Sequence, residues 1–162
     1  MAELKVKSYD KDTRIVATAP NGDTVVEIRR GAAADGAFAL YQTKSNAWRV
    51  ESAGKHTSAV RDASGATVAV IHHGRLGAND VELPSGENIK CDEPKLRMGY
   101  RYRFGELARA KAPFVAPQRH ITLTVTDALL AREDRELLLA IATGLCESAI
   151  SLAISVRANS PA

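Results

Sequence analysis

Up to about residue 126 the chain alternates apolar and polar side chains in short runs, and each run ends in turn chemistry. A period of two places successive side chains on opposite faces of an extended strand, so each run predicts a strand with one dry and one wet face. The first six are LKVKSY (4–9), TRIVATA (13–19), DTVVEIR (23–29), AFALYQT (37–43), AWRVES (47–52) and TSAVRD (57–62). The next six are ATVAVIHH (66–73), NDVELP (79–84), ENIKC (87–91), KLRMGYRYRF (95–104), GELARAKA (105–112) and HITLTVTD (120–127). Three connections, APNGD (19–23), DASGA (62–66) and LPSGE (83–87), place Gly where a tight hairpin needs a positive φ. The pattern predicts an antiparallel meander.

The periodicity then changes. DRELLLAIATGLCESAISLAISV (134–156) has no Pro and opens beside Glu133, Asp134 and Glu136, which suit the positive end of a helix dipole. It predicts one helix, apolar on nearly every side, with Thr143, Glu147, Ser151 and Ser155 in one narrow polar stripe. Such a helix must be buried in protein or lipid. From Leu137 to Val156 it is long enough to span a bilayer, yet a carboxylate near its midpoint raises the cost of insertion by about 2–3 kcal/mol. Burial in protein is the expected outcome, because the strands also need something apolar to close around.

About a dozen antiparallel strands tend to curl and close, and a barrel of that size has room for a helix about 10 Å across. The expected fold is therefore mainly β (α+β): a closed antiparallel β-barrel of about twelve strands around a hydrophobic C-terminal helix. It is expected to form one domain over 1–158, with strands at about 4–127, the helix at about 134–156 and a tail at 159–162. The hairpin phrases VRDASGATVAVI (60–71) and VELPSGENI (81–89), followed by EDRELLLAIATGLCESAISLAI (133–154), resemble the tubby C-terminal-like superfamily. That superfamily includes tubby proteins, phospholipid scramblases and LURP-one-related proteins. The resemblance implies a barrel closed around the terminal helix, and phosphoinositide or other lipid binding as the function. No spaced-carboxylate calcium loop is present to carry over a calcium-driven scrambling activity.

Composition narrows the picture without naming a reaction. The 162 residues are 45% hydrophobic and 25% charged, and with aromatics at 5% the core should be aliphatic. The opening MAELKVKSYD is interrupted by charge, unlike a signal peptide, so an intracellular, cytoplasmic protein is expected, peripheral at membranes if it binds them. Cys91 and Cys146 fit no metal or redox spacing and read as buried free thiols. His72 and His73 are adjacent, so on a strand they point to opposite faces and cannot share a metal. No GxSxG elbow, HExxH pair, P-loop or dinucleotide fingerprint occurs, and no cofactor or metal is expected.

With a net charge of +3, clustering matters more than the sum. The densest cluster is KLRMGYRYRF. Its Lys95, Arg97, Arg101 and Arg103 project to one side and Leu96, Met98, Tyr100, Tyr102 and Phe104 to the other. Arg109, Lys111 and Arg119 join that field if the following strands fold back beside it. The plainer reading is the wet face of a barrel strand, where cations also discourage edge association. The functional reading is a non-enzymatic binding or scaffold protein that recognises an anionic lipid headgroup, a membrane surface or another anionic partner, proteins included. Nucleic acid is not expected. The alternative is a barrel that binds a small ligand, or catalyses a reaction, at a polar site around Glu147, an acid or base whose pKa burial would raise.

Overall fold

The computed structural model describes residues 1–9, 13–31, 39–92, 100–113 and 120–158. Twelve antiparallel strands close into one barrel in simple sequential order. They are β1 (Ala2–Tyr9), β2 (Arg14–Thr18), β3 (Thr24–Arg30), β4 (Ala39–Gln42), β5 (Ala47–Gly54) and β6 (Thr57–Arg61). The second half comprises β7 (Thr67–His73), β8 (Asn79–Glu82), β9 (Asn88–Asp92), β10 (Tyr100–Phe104), β11 (Ala108–Ala112) and β12 (Ile121–Val125). Every neighbouring pair but one is joined through the next connection of a meander. The exception is β1 with β12, whose register runs from Ala2 opposite Val125 to Val6 opposite Ile121 and closes the wall.

The three expected hairpins share one hydrogen-bond pattern. In the central one, Asp62 N donates to Ala66 O at 3.0 Å and Gly65 N to Asp62 O at 3.0 Å, while Gly65 holds φ at 86°. Side chains with a Cβ seldom adopt that conformation, which is why the turn ends on Gly.

Among the boundaries that differ from the alternation, two have a local hydrogen-bonding cause. GELARAKA does not begin a strand at 105, because Gly105 and Leu107 turn back on Lys90 O and Phe104 O, and β11 starts at Ala108. HITLTVTD stops at Val125, where Thr126 caps a four-residue helix, α1 (Asp127–Leu130), that periodicity did not foretell. The Thr126 hydroxyl donates to Leu107 O at 2.9 Å and accepts from Leu129 N at 3.3 Å, and Leu129 is fully buried. Of KLRMGYRYRF, residues 100–104 form β10, and the segment 95–99 lies outside the described residues.

The terminal helix α2 (Arg135–Ala158) runs up the barrel interior. Every residue from Leu137 to Cys146 is buried, as is Glu147, so the helix has no wet face over three turns. It packs against inward side chains such as Ile28, Tyr41, Tyr102 and Phe104, and it answers the question its composition raised: its apolar surround is the barrel wall. Among the described residues no helix is long and apolar enough to cross a membrane. Arg132 secures the start, with Nη1 and Nη2 donating to the Glu87 carboxylate at 2.9 and 2.8 Å and Nε donating to Asp134 Oδ1 at 2.8 Å.

Candidate functional site

Strand β10 sorts its side chains as the alternation requires. Tyr100, Tyr102 and Phe104 are buried against the interior, and Arg101 and Arg103 lie half-buried on the outer wall. The next strand repeats the pattern with Ala108, Ala110 and Ala112 inside and Arg109 and Lys111 exposed outside. Register places Arg101 opposite Lys111 and Arg103 opposite Arg109. Like charges directly opposite across a strand pair repel, so this block of four loses stability where it stands alone and gains from an anion laid over it.

Closure of the barrel extends the block in one direction. Lys111 pairs with Thr122 on β12, and Thr122 with Lys5 on β1, so the row reads Arg101, Lys111, Thr122, Lys5. The parallel row reads Asp92, Arg103, Arg109, Thr124, Glu3, with an acid at each end. Arg103 Nη2 lies 2.9 Å from Asp92 Oδ1, whereas Arg109 and Lys111 have no carboxylate partner among the described residues. A groove of about 570 Å³ crosses this face, lined by all four cations, by Thr124 and by the acid Glu106.

Other cross-strand arginine pairs are treated differently. Arg14 stands opposite Arg29 with Glu27 Oε1 at 2.9 Å from each, and the Arg14 hydrogen bond holds the Glu27 carboxyl below its ordinary value. Arg49 stands opposite Arg61, with Glu51 at 3.2 and 3.1 Å. In both clusters a carboxylate on a neighbouring position bridges the two guanidiniums. In the β10–β11 block Asp92 meets Arg103 alone, and Arg109 and Lys111 have no bridging carboxylate among the described residues.

The polar stripe of α2 serves packing first. Thr143 Oγ1 donates to Leu139 O at 2.7 Å within the helix, and Ser151 Oγ donates to Glu147 Oε1 at 2.8 Å. Glu147 Oε2 lies 2.8 Å from Arg30 Nη1 but makes no hydrogen bond, so the pair is a charge contact rather than an aligned one. Arg30 Nη2 also donates to Gly144 O at 3.3 Å and to Ser148 Oγ. Burial pushes the nearby Tyr41 phenol up to about 12.

Above this pair, where α2 nears the barrel mouth, is a cavity of about 260 Å³. Arg30, Tyr41 and Ser148 line it, and Glu147 does not: the carboxylate stands behind the guanidinium. The cavity's other polar side chains lie on its far side. There the inner face presents Ser58, His73 and Asn79.

His72 and His73 do point to opposite faces. His72 Nε2 meets Glu82 Oε2 at 3.0 Å outside, while His73 turns to the mouth. Of the expected anion-binding residues, the structure brings together Arg101, Arg103, Arg109 and Lys111; Lys95, Arg97 and Arg119 lie outside the described residues. Lys5 was missed, because its place beside residues about a hundred positions away depends on barrel closure.

Fold and site together define a class: a closed twelve-stranded antiparallel barrel filled by its own terminal helix, with a basic block on its outer wall. Comparison of the chain with protein-family models, with curated proteins and with solved structures finds no match.

Proposed function

We propose that this chain is an intracellular binding protein of the tubby-like kind, which docks peripherally on anionic lipid headgroups through the outer face of β10 and β11. The observation that carries the reading is the register that sets Arg101 against Lys111 and Arg103 against Arg109, with Arg109 and Lys111 exposed on the outer wall and without a carboxylate partner among the described residues. Guanidinium groups on a rigid wall suit phosphate, since each offers a planar fork of donors and β pairing has already set the face they leave from. Lys5 and Thr122 continue the row and widen the target beyond one phosphate.

The test is flotation of the full chain with phosphatidylcholine vesicles, with and without phosphatidylserine or a phosphoinositide. Binding is expected with the anionic vesicles only, and it should weaken as salt rises, because screening shortens the reach of exposed charge. Replacing Arg101, Arg103, Arg109 and Lys111 together by Gln should abolish it. Undiminished flotation of that folded variant, or no flotation of the native chain at low salt, removes the reading.

A further inference from the structure

The cavity at the barrel mouth carries a second, independent chemistry. Ser58 on β6 and His73 at the end of β7 are diagonal neighbours on the inner face, since Ser58 pairs with Ile71, two residues before the histidine. His73 in turn stands directly opposite Asn79 on β8. The β7 end is held by a hydrogen bond from His73 N to His56 O at 2.8 Å. These pairings bring three side chains into one line: Ser58 Oγ lies 2.9 Å from His73 Nε2, and His73 Nδ1 lies 2.9 Å from Asn79 Oδ1.

The proton positions in this line follow from the groups behind it. Asn79 Nδ2 donates to Gly77 O at 2.8 Å and to Tyr102 Oη at 2.7 Å, and the Tyr102 hydroxyl itself donates to Gly77 O at 2.6 Å. A carbonyl oxygen accepts only, so the amide must turn its NH₂ toward Gly77 and its oxygen toward the imidazole. An oxygen facing Nδ1 requires the hydrogen on Nδ1. In the neutral imidazole Nε2 is then the bare nitrogen, and the Ser58 hydroxyl donates to it. Tyr102 sits at the far end as a neutral phenol, its pKa raised by burial.

We propose that Ser58, His73 and Asn79 form a nucleophile, a general base and a positioning residue for acyl transfer from a small, uncharged ester. A serine is activated when a base accepts its proton and a third group orients that base, and the arrangement is recognised by geometry rather than by sequence motif. In the acylation step a bond forms between Ser58 Oγ and the acyl carbon while the hydroxyl proton passes to His73 Nε2. The ester C–O bond then breaks, and the departing alcohol takes that proton. Water attacks the acyl-serine with His73 as base, releasing the carboxylic acid and restoring the hydroxyl. The cavity of about 260 Å³ lies below the usual range for drug-sized ligands, and Ala39, Val50, Ile71 and Leu145 in its wall suit a short apolar acyl group. Arg30 is the cationic side chain in that wall, already offset by Glu147, so a charged substrate is not favoured.

Two probes test this on the full chain: a fluorophosphonate, which loses fluoride as Oγ bonds to phosphorus, and p-nitrophenyl acetate. Mass spectrometry should place the phosphonate on Ser58, and ester turnover should vanish in Ser58→Ala. His73→Gln should slow both reactions by about a hundredfold or more, the scale of general-base catalysis. Asn79→Ala should slow them in the native background and add nothing in His73→Gln, because it acts through the imidazole; a merely structural Asn79 would add its loss in both. Thermal melts show which variants fold, and the adduct site on the native chain decides even where a variant does not. Absence of a Ser58 adduct on the folded native chain, or equal labelling in folded His73→Gln, overturns the proposal.

Discussion

Gly144, in the middle of α2, faces Tyr41 on β4 so closely that a Cβ built on it would stand 2.5 Å from the phenol oxygen and 3.0 Å from Cζ. A mid-helix Gly is about 1 kcal/mol less favourable than Ala, so its presence here reflects close packing of helix on wall. Gly144→Ala should lower the melting temperature, since overpacking costs about 1–3 kcal/mol, and each kcal/mol is worth about 2–4 °C at this chain length. Part of the loss should disappear in a Tyr41→Phe background, where the oxygen is gone but the ring remains. An equal loss in both backgrounds would show that the phenol is not the obstacle.

The Arg30–Glu147 contact predicts asymmetric mutational behaviour. Glu147 is almost fully buried and Arg30 is about a quarter exposed. Glu147→Ala leaves a cation beside an apolar helix and should lower stability toward the lower end of about 3–5 kcal/mol, given the water that reaches Arg30. The double variant Arg30→Met, Glu147→Met should be closer to native than Glu147→Ala alone. Chemical denaturation of the set measures the coupling.

Acid sensitivity should trace in part to the Arg132 junction. Its hydrogen bond holds the Asp134 carboxyl below the ordinary aspartate value of 3.8. A group whose folded pKa is depressed contributes stability that is present above the unfolded pKa and is lost as pH falls through the folded one. Unfolding free energy should therefore fall as pH drops below about 4, and fall less steeply in Arg132→Gln, which has no such contribution to lose. Urea melts across that window read the slope directly.

Both thiols should be silent in the folded state. Burial pushes Cys91 up to about 12 and Cys146 well above its ordinary value, and the thiolate is the reactive form. Ellman's reagent should find neither thiol in native buffer and both in strong denaturant. Rapid native labelling would mean that the barrel opens.

Truncation after Thr126 removes the filling from a wall whose inner face carries Ile28, Tyr102, Phe104 and Leu123. The truncated chain should aggregate or lose its near-ultraviolet signal, with Trp48 shifting to a solvated emission. A monomeric, folded product would show that the wall stands without the helix.

Alternation made the twelve strands legible, because most are dry on one side only, β2 and β6 being buried on both over three central residues, and uniform greasiness did the same for α2. Legibility failed where structure depends on local hydrogen bonds rather than on pattern. Thr126 ends β12 and caps α1 through bonds to Leu107 and Leu129 that no periodicity encodes. The basic face was half legible: Arg101 and Arg103 announce themselves on one strand, while Lys5 joins only through the pairing of β1 with β12. The Ser58, His73 and Asn79 line was invisible as a motif, since it spans three strands and depends on inward pointing at one end of the barrel. The alternation of ATVAVIHH did place His72 and His73 on opposite faces, and that was the one available signal.

The pairing of Ala2 with Val125 also sets an order of events during synthesis. The strand that seals the wall and the helix that fills it are both among the last parts of the barrel to be made. Until they arrive, eleven strands have an open edge and no interior to collapse upon, and contacts this distant in sequence form slowly. Closure and filling are thus expected as one late event, and the unsealed edge before it is the period when the growing chain most needs shelter from its neighbours.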